Sequence, residues 1–249
     1  AQPTTDAAPR WGKALIDATR PFASESPAQT YGHTIATLVA LVGALALAVA
    51  LPWWPARALA SVVAGLVTVR GFILFHDVLH SALFRGPSLG ARLGRALFNV
   101  YGILVLTPPK VWRQTHNYHH AHTAKIVGSH IGSYMMLTPE MYAKATPVQR
   151  FAYRAMRHPL NMLFGYLTVF LWGMCLAPFL RSKGKTWDAG VAFALHLALV
   201  AAVTRFAGFG TALATVIVPL AVACGAVAVT AVAPLPAPPP SSLPLPSTR

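Results

Sequence analysis

The chain has 249 residues, of which 55% are hydrophobic and only 10% charged, with a net charge of +14. An ordinary soluble domain carries about 25% charged residues, so the composition excludes a typical water-soluble domain and points to an integral membrane protein. The charge comes from 20 Lys and Arg against 6 acids. Without a basic helix or recognition motif it points to anionic lipid headgroups or an acidic partner protein, and not to nucleic acid.

Residues 1–30 are polar and rich in Pro and Ala, and are expected to form a flexible cytosolic tail without a signal peptide. His33 to Leu51 lacks Lys, Arg, Asp and Glu and is long enough to span a bilayer, which takes about 20 residues. Pro52-Trp53-Trp54-Pro55 ends this run with a Trp pair suited to the interface. Arg57 to Phe75 returns as a second span, interrupted by Arg70, which must face protein or snorkel. The segment FHDVLH follows and places His76 and His80 at i, i+4.

Gly86 to Leu106 is apolar but carries Arg92 and Arg95, the pattern of an interfacial or shallowly dipping helix. Thr107-Pro108-Pro109 breaks it and launches WRQTHNYHHAH, with His116, His119 and His120 at i, i+3 and i+4. On a helix these three imidazoles leave one face. Lys110 to Arg157 holds seven basic residues against the single acid Glu140, which predicts a cytoplasmic segment.

Three more apolar runs follow: Leu160 to Leu180, Trp187 to Thr204, and Ala207 to about Val232. If the first spans, Arg181, Lys183 and Lys185 fall outside. If it lies in-plane or re-enters, they stay with the other basic residues. The second arrangement gives an all-α membrane protein of about four transmembrane helices in two hairpins, with in-plane or re-entrant helices and a cytosolic His-rich helical cap. The membrane domain is expected over residues 31–224, and residues 225–249 read as an Ala/Val then Pro-rich disordered tail.

The histidines in these two groups form a candidate metal site. His76, His80, His116, His119 and His120 exceed what one tetrahedral zinc accepts. Imidazole suits Fe, Cu, Ni and Zn, and ligands split between two segments suit a pair of metals. Asp77 reads as a carboxylate orienting the His76 ring, or else as a helix cap or a partner of Arg85 or Arg113. Asn117 and His122 are further accessory candidates. His130 and His158 read as surface residues and His33 as interfacial. His196 reads as a buried, hydrogen-bonded histidine, and Cys175 and Cys224 as small core residues.

HDVLH and HNYHH, set among apolar hairpins, resemble the histidine boxes of the membrane fatty acid desaturase family, most closely bacterial acyl desaturases of the delta-12 type. The resemblance covers roughly His33 to Cys224. It implies a di-iron centre at the cytosolic surface of the bacterial inner membrane. It also implies O2 as co-substrate and electrons from a ferredoxin or cytochrome-type donor. The product it implies is a cis double bond in a fatty acyl chain linked to lipid, CoA or carrier protein. The alternatives are an alkane or carotenoid hydroxylase or ketolase of the same superfamily, or a non-catalytic remnant that binds metal. The resemblance further implies a third box, HxxHH or QxxHH, whereas no histidine follows His196. The abrupt change to Ala, Val, Pro and Ser predicts that the tail from about Gly225 is translated out of frame.

Overall fold

The structure is a computed structural model and describes residue 14 and residues 17–122 and 136–232. The described residues are helical and contain no strand. Helices α1 (Pro27–Ala50) and α2 (Trp54–Leu79) form the first hairpin, and α9 (Trp187–Ala207) and α10 (Phe209–Val227) the second. These are the helices, among the described residues, that are long and apolar enough to cross a membrane singly. They match the expected two hairpins. Exposed apolar side chains such as Ile35, Val39, Val42, Leu59 and Leu66 face outward. A soluble surface of that kind would be unstable, whereas lipid tails solvate it.

Between α1 and α2 the packing uses small residues. Thr30, Thr34, Thr37, Ala44 and Ala48 are buried on α1, and Ser61, Ala64 and Thr68 on α2. Without a hydrophobic drive between helices in lipid, close backbone approach supplies the attraction. Their hydroxyls would be orphaned in hydrocarbon, and they return to the preceding turn. Thr34, Thr37, Ser61 and Thr68 donate to the carbonyls of Thr30, His33, Arg57 and Ala64 at 2.7–2.9 Å. The opposite side of α2 meets α10: a Cβ on Gly65 would lie 2.6 Å from Val222 Cβ, so the two backbones touch here.

Helix α3 (Leu89–Leu104) is capped by Ser88, which accepts the N–H of Ala91 at 3.2 Å. It exposes Leu89, Leu93, Leu97, Val100 and Leu104 along one stripe and buries Ala91, Phe98 and Tyr101 on another. The two-sided pattern is that of an interfacial helix, and with the helix that follows it also has the length and apolarity of a bent span or re-entrant loop. At Val105–Pro108 the chain turns through 92° into α4 (Pro109–Ala121). Leu106 adopts φ +62° at the corner, Thr107 N–H closes on the Gly102 carbonyl at 2.8 Å, and Pro109 opens α4, where its missing N–H does no harm.

Short helices α5 (Pro139–Lys144), α6 (Pro147–Arg157) and α7 (Pro159–Leu163) follow. Helix α8 (Tyr166–Arg181), π-wound over Tyr166–Leu176, is too short to span. That leaves Arg181, Lys183 and Lys185 before the second hairpin, as the in-plane arrangement requires. One core joins Leu106, Phe170, Cys175, Ala192, Val216, Leu220 and Cys224; the other joins Phe75, Val78, Phe84, Ala91, Phe98 and Tyr101. Both cysteines are free and buried, as expected.

Two boundaries differ from composition. Within residues 1–30, helix α1 already starts at Pro27 and a 3-10 turn occupies Arg20–Ala23, because Glu25 anchors this stretch to the loop after α2. At the other end, helical backbone continues past Gly225 to Val232. His130 and residues 233–249 lie outside the described residues.

Candidate metal centre

The last turn of α2 carries His76, and His80 is its C-cap; His116 and His120 lie one turn apart on α4. The i, i+4 spacing puts each pair on one helix face, and the corner before Pro109 turns the second face onto the first. Ligand nitrogens of His76, His80, His116 and His120 all lie within 4.8 Å of one another. His116 Nε2 is 2.9 Å from His76 Nε2 and 3.0 Å from His120 Nε2. His119 stands at the edge, its ring centroid 6.2 Å from that of His116 and 5.9 Å from that of His120.

Neighbouring contacts fix this geometry. Asp77 Oδ1 lies 3.0 Å from His76 Nδ1, which therefore donates its proton and leaves the Nε2 lone pair facing the cluster. Trp112 stacks on His116 with centroids 5.1 Å apart, and Phe72 of α2 meets Trp112 edge-on at 5.0 Å. Tyr101 of α3 donates to the Thr68 carbonyl at 2.6 Å and fills the space above Gly71, where a Cβ would fall 2.5 Å from the phenolic oxygen. Burial pushes the Tyr101 hydroxyl far above its ordinary range, so it remains a donor.

The loop after His80 is clamped. Ser81, Phe84 and Gly86 all have positive φ, uncommon for the first two. Glu25 accepts the N–H groups of Phe84 at 2.6 Å and Arg85 at 2.7 Å and the Thr30 hydroxyl at 2.9 Å. Arg95 donates to the carbonyls of Phe84 and Gly86. The N-terminus of α4 is held by Asp188, whose Oδ2 accepts the Lys110 N–H at 2.7 Å. None of these anchors has a short-range sequence pattern. Trp112 was legible from its i−4 spacing to His116, while Glu25 and Asp188 act across distant stretches of chain.

Burial, then the imidazoles of His76 and His120, hold His116 down at about 4. Burial and the same two neighbours also lower His80, against a smaller opposing pull from Asp77. Both rings are therefore neutral near pH 7, the form that binds metal. The remaining candidates face elsewhere. Asn117 lines a cleft of about 650 Å³ with Asn99, Lys110, Arg113, Gln114 and Trp187. His122 caps α4, its Nδ1 2.8 Å from the Tyr118 carbonyl and its ring stacked on Tyr118. His196 is buried and bonded to the Tyr166 hydroxyl at 2.5 Å, His158 is exposed, and His33 pairs with Arg70.

The donor set fits a transition metal. Metal–imidazole bonds of about 2.0–2.1 Å place neighbouring ligand nitrogens about 3 Å apart, the spacing found around His116. The donors are all imidazole, which suits iron as well as zinc, copper and nickel. The buried indole N–H of Trp112, beside His116, has no acceptor among the described residues and is free for a group bound there.

Residues 52–234 match the family model described as fatty acid desaturase. A "Fatty acid desaturase" of Bacillus subtilis (strain 168) is 35% identical over 115 residues, which are 46% of this chain and 31% of that relative. The match thus spans about a third of the curated relative's length. No solved structure matches. Since the family match takes in both histidine pairs, the corner between α3 and α4 and both helices of the second hairpin, the chain belongs to the fatty acid desaturase family.

Proposed function

We propose that this chain is a membrane acyl desaturase that uses iron and O2 to introduce a cis double bond into a fatty acyl chain. Family membership implies an oxidoreductase of fatty acyl substrates in a membrane setting. The observation that carries the finer reading is the convergence of four histidine nitrogens, from two distant segments, at the end of a membrane span. His76, His80, His116 and His120 are the proposed ligands, and His119, on the same side of α4, completes the set for a pair of iron ions. Iron, when bound, would supply the oxidising chemistry that unactivated C–H bonds need and that no side chain provides.

The protein's own residues then have defined tasks. Asp77 holds the His76 proton at Nδ1. Trp112 and Phe72 exclude water from one side of the rings and fix the His116 orientation. His122 and Asn117 are proposed as accessory groups that support α4 from its other faces. The basic segment Lys110 to Arg157 supports a cytoplasmic orientation of the cluster in a bacterial inner membrane. It also suits docking of an acidic electron donor of the ferredoxin or cytochrome type. The acyl chain would be presented as a lipid, CoA or carrier-protein ester. For the ligands beyond these five, we propose that the segment after Gly225 is read out of frame; a histidine box in another frame of the gene is the expected finding, and its absence from both would end that idea.

A specific observation favours a second reading, a remnant that holds one ion: the four nitrogens surround a single point and His119 stands apart. The test is iron per chain together with product mass after incubation with donor, O2 and acyl substrate. A pair of irons with loss of two hydrogens supports the desaturase. Gain of one oxygen indicates a hydroxylase, and one iron or none without turnover indicates the remnant.

A further inference from the structure

Arg70 lies inside α2, six residues before His76 and sixteen after Trp54. At about 1.5 Å per residue, it sits about 9 Å below the histidine cluster and about 24 Å from the Trp pair. The whole helix is about 39 Å long, against a hydrocarbon core of about 30 Å. With Trp53 and Trp54 at the far interface, Arg70 reaches the boundary between tails and headgroups in the leaflet beside the cluster.

Its guanidinium is only partly engaged. Nε donates to Thr37 Oγ1 at 3.0 Å, and Nη2 lies 3.3 Å from His33 Nδ1. A guanidinium can only donate, so His33 accepts at Nδ1 and carries its own proton on Nε2. Arg70 and His33 are both exposed, while Thr37 between them is buried. The N–H groups left over, on Arg70 and on His33 Nε2, are all donors: a cationic edge on the lipid-facing side of the first hairpin.

No acidic side chain of the described residues answers that charge. Asp17 pairs with Arg20, Glu25 with the loop after α2, and Asp77 with His76. Glu140 bonds Thr138 at the start of α5, and Asp188 receives the Lys110 N–H. An uncompensated charge at this depth is costly, and the bilayer itself offers an anion there.

We propose that Arg70 and His33, braced by Thr37, form a binding site for the phosphodiester of a membrane lipid in the leaflet adjoining the histidine cluster. The planar fork of the guanidinium suits two phosphate oxygens, and His33 Nε2 supplies a third donor. Such a lipid would pin the two helices of the first hairpin together just beneath the ligands His76 and His80.

The test titrates the detergent-solubilised full chain with dioleoyl phosphatidylglycerol, dioleoyl phosphatidylcholine or dioleoylglycerol, which lacks phosphate, and counts bound lipids by native mass spectrometry. Both phosphate-bearing lipids should fill one tight site. Arg70→Gln should weaken that first binding by about tenfold or more and His33→Ala by less. Arg57→Gln should leave it unchanged, because Arg57 Nε donates to the Ala48 carbonyl at the other end of the hairpin. Equal retention of dioleoylglycerol, displacement of the lipid by millimolar inorganic phosphate, or unaltered binding by Arg70→Gln would each overturn the site. If Arg70→Gln does not fold, phosphorus-to-guanidinium nitrogen dipolar coupling in the wild-type chain, measured by solid-state NMR in bilayers, decides: coupling is expected, and its absence rejects the proposal.

Discussion

The two hairpins have similar length and hydropathy but divide their polar groups differently. The first carries Arg57, Arg70, His33 and a ladder of Thr and Ser hydroxyls, and it ends in two of the clustered histidines. The second carries Arg205 and the hydroxyls of Thr211 and Thr215, which return to the preceding turn. It contributes Asp188 as an anchor for α4 and buries His196 against Tyr166, and Cys224 in an apolar core. One hairpin therefore presents the chemistry and the other braces it. Apolar content alone does not separate these roles. What separates them is where each polar group finds its partner, at the membrane surface or inside the packing.

The largest expected effect sets His116→Ala against His196→Ala. Removing His116 takes away the nitrogen shared by both of its neighbours, and iron per chain should fall to background. Removing His196 should leave iron unchanged while stranding the Tyr166 hydroxyl, a loss of about 1–3 kcal/mol in unfolding. If His196→Ala strips iron as fully as His116→Ala does, the division between hairpins fails. A sharper comparison uses two glycines of α2. Gly71→Ala forces Tyr101 away and should cost about 1–3 kcal/mol, together with weaker iron retention, since Tyr101 ties α3 to α2 just below the cluster. Gly65→Ala presses on Val222 and should lower the melting temperature without altering iron retention. Adding Tyr101→Phe to Gly71→Ala should recover part of the loss, because it removes the clashing hydroxyl.

The smallest effect belongs to Glu25. Burial alone would raise its carboxyl, but the N–H of Arg85, the Thr30 hydroxyl, the N–H of Phe84 and the Arg85 charge together hold it below the ordinary 4.5. With the folded-state value below the unfolded one, its contribution is complete above 4.5 and disappears as pH falls through the lowered value. The melting-temperature gap between wild type and Glu25→Gln should therefore be constant at neutral pH and close in acid. The carboxyl is well solvated, so the gap should amount to about 1 kcal/mol or less. A gap that widens on acidification would show that Glu25 does not clamp the loop through its charge.

Much of this fold was legible because lipid leaves few options. Apolar runs of about 20 residues with at most one charge read as spans. His33 to Leu51 ends one residue past α1, and Trp187 to Thr204, which carries Asp188, falls inside α9. Charge marked the helices that do not pass singly as spans, through Arg92 and Arg95 in α3 and through the basic residues after α8. Four of the five histidines in the expected ligand set come together, because i, i+4 spacing on a helix dictates a shared face. The position of His119 was not legible, since i+3 and i+4 neighbours are equivalent in spacing and differ only in how the facing helix meets them. Glu25 and Asp188 were also invisible. Each is a lone acid in its stretch of chain, and its partners are backbone N–H groups, which every residue has.

The right-angle corner ahead of Pro109 carries a lesson about helical phase. Each residue of a helix advances its side chain by about 100°. One residue inserted between Pro109 and His116 would leave length, charge and hydropathy almost unchanged. It would rotate His116 to where Asn117 now lines the cleft and carry His120 round with it. The opposing pair on α2 would then face Thr115 and His119 where His116 and His120 now stand, leaving one imidazole in place of two. Angular register along α4, which no composition profile records, is thus the quantity that decides whether a chain of this family closes its histidines on one point.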